Sequence, residues 1–349
     1  MPYGTDISVY VEDTKNDLGA PGSPAPWWLS PDVDIPAHSG VAFQGTNQVQ
    51  VRVHSHEEPI VQEKIVAEVY VGAPGFVLSP VTGTKRIDPG DLKWRPASIP
   101  GTEPIADEPG STLAFPWTPS AVPTDIDGPG HRCLIVRAFP ESVTPPTDPF
   151  VIPDEGHEAQ HNMEVLTTTM AIAPIGEGGG AGVPGDPRHR DEGTGLWWEI
   201  FTTMAATKRG RHFVAWAFDP EPNKAVVGGV KKQLKKAGIA RFSQRPPDKI
   251  TLEPVKARGE EIDPKELYAD PEFVQRAGIG SGLFGSGRVV AAAALELAPN
   301  KLARLLMRFD LSNLDDRTAV VLHGVQWNEA GEAEGGMTVI ALPPEAAKA

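Results

Sequence analysis

The feature that most limits the fold of this chain is a strict alternation of apolar and polar residues in short segments. Gln48 to His54 reads QVQVRVH, with valine at every second position. Successive side chains of an extended strand point to opposite faces, so this pattern predicts a strand with one buried face. Lys64 to Val71 (KIVAEVYV) is a second strand of this kind. Further strands are predicted at 6–11, 112–117, 133–139 and 162–173.

The connections between these segments are rich in glycine and proline, with 36 of each among the 349 residues. This excess has no repeat period, and it indicates many turns between short strands, as in sandwiches and barrels. Residues 174–195 read PIGEGGGAGVPGDPRHRDEGTG and contain almost nothing apolar. They predict a flexible linker or a long exposed loop. We therefore expect two domains, 1–173 and 196–349.

The second half continues with strands but also contains one helical pattern. In residues 223–237, Val226, Val230 and Leu234 fall on one side and four lysines on the other, which predicts an amphipathic helix ending at Gly238. Residues 289–311 fit either a helix or two strands turning at Pro299-Asn300, and we favour strands. The predicted fold is mostly β, with two antiparallel, immunoglobulin-like β-sandwiches, the second carrying one helix.

Five short motifs in the first half suggest a family. They are Pro26 to Asp32 (PWWLSPD), Val51 to His54 (VRVH), Phe115 to Pro119 (FPWTP), Gly130 to Arg137 (GHRCLIVR) and Ala159 to Asn162 (AQHN). In this order they resemble the immunoglobulin-like, CARDB-like domain that recurs as an accessory module in bacterial proteins. The resemblance covers about residues 1–170. It implies a β-sandwich and no catalytic residues.

A possible zinc site lies at the end of this region. Residues 157–161 read His-Glu-Ala-Gln-His and match H-E-x-x-H, in which two histidines bind Zn²⁺ and the glutamate is the general base. That chemistry requires a helix, which places i and i+4 on one face. Pro153, Gly156 and the threonines at 167–169 instead favour a loop followed by a strand. A zinc hydrolase that uses His157, Glu158 and His161, similar to a metallopeptidase, is therefore an alternative to the hypothesis of a non-catalytic protein.

The family resemblance gives the same segment a different meaning. In that family the last segment usually reads Asp-Asn-Asn, an apolar residue, Ala-Gln and a basic residue before Asn. This chain departs from the pattern at Glu155 to Glu158. The resemblance therefore implies that Glu158 occupies the apolar position at which the final strand begins, and that the match to the zinc motif is accidental.

Two weaker site hypotheses remain. His54 and His56 lie two residues apart at a strand end, where they would share one face as metal-binding pairs on sheets do. His38 or His131 could supply a third ligand. Tryptophans that stack on sugars would make a carbohydrate-binding module, and the candidate residues are Trp27, Trp28, Trp197 and Trp198.

Charge and cysteine content narrow the function classes. Residues 1–172 contain 9 Lys/Arg and 23 Asp/Glu, so the net charge of −14 lies in the first half, which argues against nucleic-acid binding there. The single cysteine, Cys133, excludes an intramolecular disulfide and lies in an apolar strand pattern that predicts a buried, inert thiol. The sequence contains no uninterrupted stretch of eighteen apolar residues, so it predicts no membrane-spanning helix.

The leading hypothesis is a non-catalytic structural or interaction protein, a component or accessory module of a larger bacterial assembly. Its partner would be another protein or copies of itself, met through the edges of the sandwiches. No cofactor is expected, with Zn²⁺ as the alternative. The N-terminus has no signal-peptide pattern, which predicts a cytoplasmic protein or one released without a Sec signal peptide.

Overall fold

The fold was described from a computed structural model of the 349-residue chain. The structure describes residues 9–14, 25–34, 47–55, 65–73, 75–87, 93–94, 112–118, 120, 126–127, 133–140, 142–152, 156–166, 196–228, 230–255, 257–280, 282–285, 287–315 and 317–342. Most of these residues lie in strands, and the helices are short. The prediction of a mostly β fold built from two sandwiches is confirmed. No helix of the described part is long and apolar enough to cross a membrane.

The first sandwich is formed by two antiparallel sheets and a small ribbon. The larger sheet has the order β10-β9-β5-β6, with β7 also paired to β5: Glu158–His161 (β10), Cys133–Pro140 (β9), Ile65–Gly72 (β5), Thr84–Ile87 (β6) and Lys93–Trp94 (β7). The smaller sheet has the order β2-β3-β8: Val33–Asp34 (β2), Asn47–Arg52 (β3) and Thr112–Trp117 (β8). The ribbon pairs Val9–Tyr10 (β1) with His54–Ser55 (β4).

The alternation of the QVQVRVH segment accounts for the core of this sandwich. Val49, Val51 and Val53 are each at most 1% exposed. They pack with apolar residues of β5 and β9, including Val69 and Val136. Each valine buried in this way contributes roughly 1.5–3 kcal/mol, so the period-two pattern determines the inner face of the sheet.

The second sandwich packs a seven-stranded sheet against a three-stranded sheet. The large sheet has the order β11-β20-β19-β13-β17-β16, with β14 also paired to β19: Met163–Leu166 (β11), Ala333–Ala341 (β20), Thr318–Asn328 (β19), Gly210–Phe218 (β13), Val289–Leu297 (β17), Arg258–Ile262 (β16) and Arg241–Phe242 (β14). The small sheet has the order β12-β18-β15: Leu196–Thr203 (β12), Ala303–Asp310 (β18) and Ile250–Val255 (β15).

Two details differ from the sequence predictions. Residues 289–311 do form two strands, β17 and β18, but these belong to different sheets and do not pair as a hairpin. The connection therefore crosses the sandwich, and β17 can bury both of its faces. The strand predicted at 162–173 was expected to complete the first sandwich. This placement is wrong, because β11 pairs in parallel with β20 of the second sandwich. The rest of that segment and residues 174–195, the predicted linker, lie outside the described residues.

The predicted helix at 223–237 is divided into Lys224–Gly228 (α1) and Lys231–Lys236 (α2). Its apolar residues Val226, Val230 and Leu234 are buried as predicted, and Gly238 follows with a φ of 74°. A third helix, Pro271–Ala277 (α3), and two 3₁₀ segments, Pro264–Tyr268 and Gly282–Phe284, pack on the same face of the seven-stranded sheet.

This face of the seven-stranded sheet also contacts the first sandwich. One apolar cluster joins residues of the helices and of β13 and β19 to side chains from the first half of the chain. The latter include Trp28, Tyr70, Ile135 and Phe150, all at most 4% exposed. The two sandwiches therefore share a core at their junction, which is separate from the core inside each sandwich.

Candidate functional site

The junction is built from two of the motifs that suggested a family. Residues 26–32 of the PWWLSPD motif run beside the end of β10 and the AQHN motif. The Ser30 amide donates to the Gln160 carbonyl, and the Asn162 amide donates to the Trp28 carbonyl, both at 2.9 Å. These bonds extend the sheet of the first sandwich by one short segment, which positions Trp28 against the second sandwich.

Trp28 is the central side chain of the junction. It is fully buried, and its indole nitrogen donates to the Thr338 hydroxyl of β20 at 2.8 Å. Its ring lies against Gly336, where an added Cβ would meet a ring atom at 2.0 Å. Position 336 therefore requires glycine because the Trp28 ring approaches its backbone closely, and not because of the backbone freedom of glycine.

The tryptophans named as sugar-binding candidates do not form a stacking surface at the junction. Trp27 is 2% exposed and packs edge-on against Trp28, with the ring centroids 5.1 Å apart. Neither ring is available to stack on a sugar in this conformation. Trp197 and Trp198 belong to β12 and pair with Phe309 and Arg308, but their side chains lie outside the described part of the structure.

Two amides reinforce the junction. Asn162 Nδ2 donates to the carbonyls of Gly75 at 2.6 Å and Gly336 at 3.0 Å. Gln160 Nε2 lies 3.2 Å from the Cys133 sulfur and 3.4 Å from the Gly336 carbonyl. Cys133 is buried as predicted, and burial raises the pKa of its thiol to about 12 despite the opposing bond from Gln160. A thiol of this kind is unreactive.

The H-E-x-x-H residues occupy a turn and a strand rather than a helix. His157 lies in the turn before β10 and is 1% exposed, whereas Glu158 and His161 are the first and last residues of β10. Glu158 accepts a hydrogen bond from the Val151 amide at 3.1 Å. His161 Nδ1 lies 3.4 Å from the Ser30 carbonyl, and burial lowers the pKa of its ring.

This conformation separates the residues that the zinc hypothesis requires together. Glu158 and His161 are three residues apart in β10 and therefore about 10 Å apart along the strand, whereas a helix would bring both histidines onto one face. Among the described residues, neither His157 nor His161 belongs to a group of three metal-ligating side chains. Glu158 and His161 thus have separate surroundings, Glu158 beside the Val151 amide and His161 beside the Ser30 carbonyl.

Comparisons with known proteins give no family for the chain. No family model matches it, and no curated protein matches it. The solved structures to which it is similar include a collagen adhesin from S. aureus, with 8% identity over 89% of this chain and 91% of that chain and a TM-score of 0.21. A TM-score this low does not establish a shared fold.

A buried polar chain continues from Trp28 into the second sandwich. Thr338 Oγ lies 2.9 Å from His323 Nδ1, and His323 Nε2 lies 3.2 Å from Asp219 Oδ2. Burial lowers the pKa of His323, although Asp219 opposes this effect. Burial raises the pKa of Asp219, but the hydrogen bond from His323, the Glu221 amide and Arg288 together lower it overall. Neutral His323 therefore links a hydroxyl to an ionised carboxylate.

A second buried cluster lies on the opposite face of the same sheet. His212 Nε2 lies 3.2 Å from Glu334 Oε2, and its Nδ1 lies 2.9 Å from the Gly210 carbonyl. Glu334 also accepts a hydrogen bond from Gln326 Nε2 at 2.8 Å. Burial lowers the pKa of His212, but the adjacent Glu334 carboxylate, the Gly210 carbonyl and Glu296 together outweigh burial and raise it.

A third buried cluster includes one of the predicted metal ligands. His54 Nε2 lies 2.7 Å from Asp32 Oδ2, and Glu12 completes a group of three side chains whose ligand atoms lie within 4.8 Å of one another. The predicted partner of His54 was His56, which lies outside the described residues, as do His38 and His131.

Sequence reasoning missed the other members of these clusters, although one signal was present. His212 and His323 interrupt apolar strands at positions that the alternation assigns to a buried face. A polar residue at such a position needs a buried partner. The partners themselves could not be identified, because Asp219 and Glu334 come from segments that only the sheet order brings close.

Proposed function

We propose that this protein is a non-catalytic structural or interaction protein, a two-sandwich body that serves as a component of a larger assembly. The observation that carries the proposal is the shared core at the junction, in which Trp28 packs on Gly336 and donates to Thr338. A domain interface this apolar favours a fixed arrangement of the two sandwiches. A fixed arrangement is what a building unit requires, because it presents its edges at constant spacing.

The side chains considered for chemistry support the same proposal. Glu158 accepts from a backbone amide, His161 lies against the Ser30 carbonyl, and Trp28 is bonded to Thr338. The atoms of these groups that a reaction would use already contact other atoms inside the protein. Their roles are consistent with positioning of the chain.

The surface suggests how partners would be met. Among the described residues, Val81 is the one large apolar side chain that is exposed. Contacts would therefore use polar faces and sheet edges rather than a broad apolar patch. The seven-stranded sheet ends at β16 and β11. Arg258, Glu260 and Glu261 of β16 are exposed charges, which discourage strand addition at that edge, so β11 is the edge that we assign to a partner strand.

Light scattering of the purified chain over a concentration series tests the proposal. We expect a defined oligomer, or a monomer that forms a stable complex with its partner protein, and a charged residue placed in β11, Val165→Lys, should abolish that association. The matched control is Glu260→Lys in β16, which leaves the β11 edge unchanged. Zinc-dependent peptide hydrolysis that Glu158→Gln removes, in a protein that retains its circular dichroism spectrum, would refute a non-catalytic role.

A further inference from the structure

The buried cluster of Glu12, Asp32 and His54 is unlike the other polar clusters, because it combines two carboxylates and an imidazole from three separate segments. Each of the three residues is at most 6% exposed. Their ligand atoms lie within 4.8 Å of one another. Pairing of β1 with β4 places Tyr10 opposite His54, and the two rings stack with their centroids 5.1 Å apart. The imidazole is therefore held in one orientation.

Asp32 is the centre of the cluster. Its Oδ2 accepts from the Glu12 amide at 2.7 Å and lies 2.7 Å from His54 Nε2. Its Oδ1 is buried and accepts no hydrogen bond from the described residues; it forms an ion pair with the Arg52 guanidinium at 3.6 Å, which is beyond hydrogen-bond range. An oxygen of a buried carboxylate rarely lacks a hydrogen bond, so this atom retains capacity to coordinate an ion.

The charge of the cluster favours a cation. Two carboxylates this close in a buried site repel each other strongly, because the surrounding dielectric is low. The guanidinium of Arg52, whose side chain is 36% exposed, lies 3.6 Å from Asp32 Oδ1 and stabilises that carboxylate only weakly. A bound dication would compensate both carboxylates at once.

The geometry points to a zinc site formed by Glu12, Asp32 and His54, three protein ligands that leave the fourth tetrahedral position open. Imidazole nitrogen together with carboxylate oxygen is a donor set that suits zinc, whereas calcium and magnesium prefer oxygen alone. Tetrahedral zinc with bonds of about 2.0–2.2 Å places its ligand atoms about 3.4 Å apart, which the cluster reaches with small side-chain movements. The ion would take the place of the hydrogen bond between His54 Nε2 and Asp32. It would join β1, the PWWLSPD segment and β4, and so stabilise the first sandwich.

The test measures zinc binding and thermal stability of the full chain. Protein stripped with a chelator and then dialysed against zinc chloride should bind one equivalent of zinc, measured by mass spectrometry of the metal. Its melting temperature should rise with zinc concentration, as expected for a ligand that binds the folded state. His54→Gln should weaken zinc binding at least tenfold. The matched control, His161→Gln, alters the other candidate ligand and should keep the full equivalent.

A second variant keeps the test decisive if His54→Gln fails to fold. Glu12→Gln retains the amide that donates to Asp32 and the bond between Asp32 and His54, and it should also weaken binding at least tenfold. The proposal is overturned if the folded wild-type protein binds no zinc, or if Glu12→Gln binds zinc as tightly as the wild type. Loss of binding in His161→Gln but not in His54→Gln would overturn it as well, because the ion would then belong to the H-E-x-x-H segment.

Discussion

His212 and His323 lie on the neighbouring strands β13 and β19, but they project from opposite faces of the seven-stranded sheet. His212 shares a face with Val214 and Trp216, which pack on the three-stranded sheet. His323 shares a face with Val321 and Val325, which pack on the helices and the first sandwich. Each ring is at most 2% exposed and lies 3.2 Å from a carboxylate oxygen. The pKa of His212 is nevertheless raised and that of His323 lowered.

The carboxylates beside the two histidines, Asp219 and Glu334, also differ in how their charge is stabilised. Asp219 also accepts from the Glu221 amide at 3.0 Å and lies 4.0 Å from the Arg288 guanidinium, so its charge is partly balanced without His323. Glu334 accepts from the neutral amide of Gln326, and its other oxygen accepts no hydrogen bond from the part of the chain that the structure describes. Protonation of His212 places a cation beside Glu334, which agrees with the raised pKa of His212. The shifts have opposite signs because Glu334, Glu296 and the Gly210 carbonyl together outweigh burial at His212, whereas Asp219 alone does not outweigh burial at His323.

The largest expected effect on stability comes from removing the main aromatic ring that packs on each face of the seven-stranded sheet. Trp28→Ala and Trp216→Ala should each lower the free energy of unfolding by about 3–5 kcal/mol, because both rings are fully buried. Their consequences should differ. Trp28→Ala opens the junction and should divide unfolding into two transitions in calorimetry, whereas Trp216→Ala should destabilise the second sandwich as one unit.

A single transition for Trp28→Ala, with a loss similar to that of Trp216→Ala, would mean that the two faces are equivalent. The junction would then be an ordinary part of one core. Gly336→Ala offers an independent check, because its methyl group would meet the Trp28 ring and should reproduce the effect of Trp28→Ala without removing the ring.

The next largest effect should distinguish the two carboxylates. Glu334→Gln removes the charge that keeps His212 protonated and should cost about 1.5–3 kcal/mol, the usual range for a hydrogen bond to a charged group. Asp219→Asn should cost about 1 kcal/mol, since the amide oxygen still accepts from His323. Chemical denaturation at pH 6 measures both values. A larger loss for Asp219→Asn than for Glu334→Gln would reverse the assignment of which pair is ionic.

Much of the fold, but little of this chemistry, follows from the sequence. The valines of β3 and the apolar side of α1 and α2 were predictable, because a period of 2 or 3.6 residues is a local property of the chain. The crossing of residues 289–311 between sheets was not, since the same alternation fits a hairpin. The ionic state of His212 depends on Glu334, more than 100 residues away, and no local pattern encodes that contact. The zinc motif lies in a turn and a strand, as Pro153, Gly156 and the threonines at 167–169 predicted from the local sequence.

The smallest effect is the dependence of stability on pH, and it tests the comparison most directly. His212 has a raised pKa in the folded state, so its contribution is full below the unfolded value of 6.5 and is lost as pH rises through the folded pKa. His323 has a lowered pKa, so its contribution is present above 6.5 and is lost as pH falls through the folded pKa. The free energy of unfolding should therefore decline on both sides of about pH 6.5.

Urea denaturation between pH 5 and 9 measures this profile, and two variants divide it. His212→Gln should flatten the alkaline side and leave the acid side unchanged, whereas His323→Gln should flatten the acid side alone. Titration of the imidazole Cε1 protons by nuclear magnetic resonance assigns each limb to a ring. If both rings titrated below 6.5, burial alone would determine the state of buried histidines in this sheet, and the ionic partner of Glu334 would have to be sought elsewhere. If they diverge as expected, one sheet holds a charged and a neutral histidine on its two faces, and the neutral one lies at the junction, where an uncompensated charge would disfavour the contact between the sandwiches.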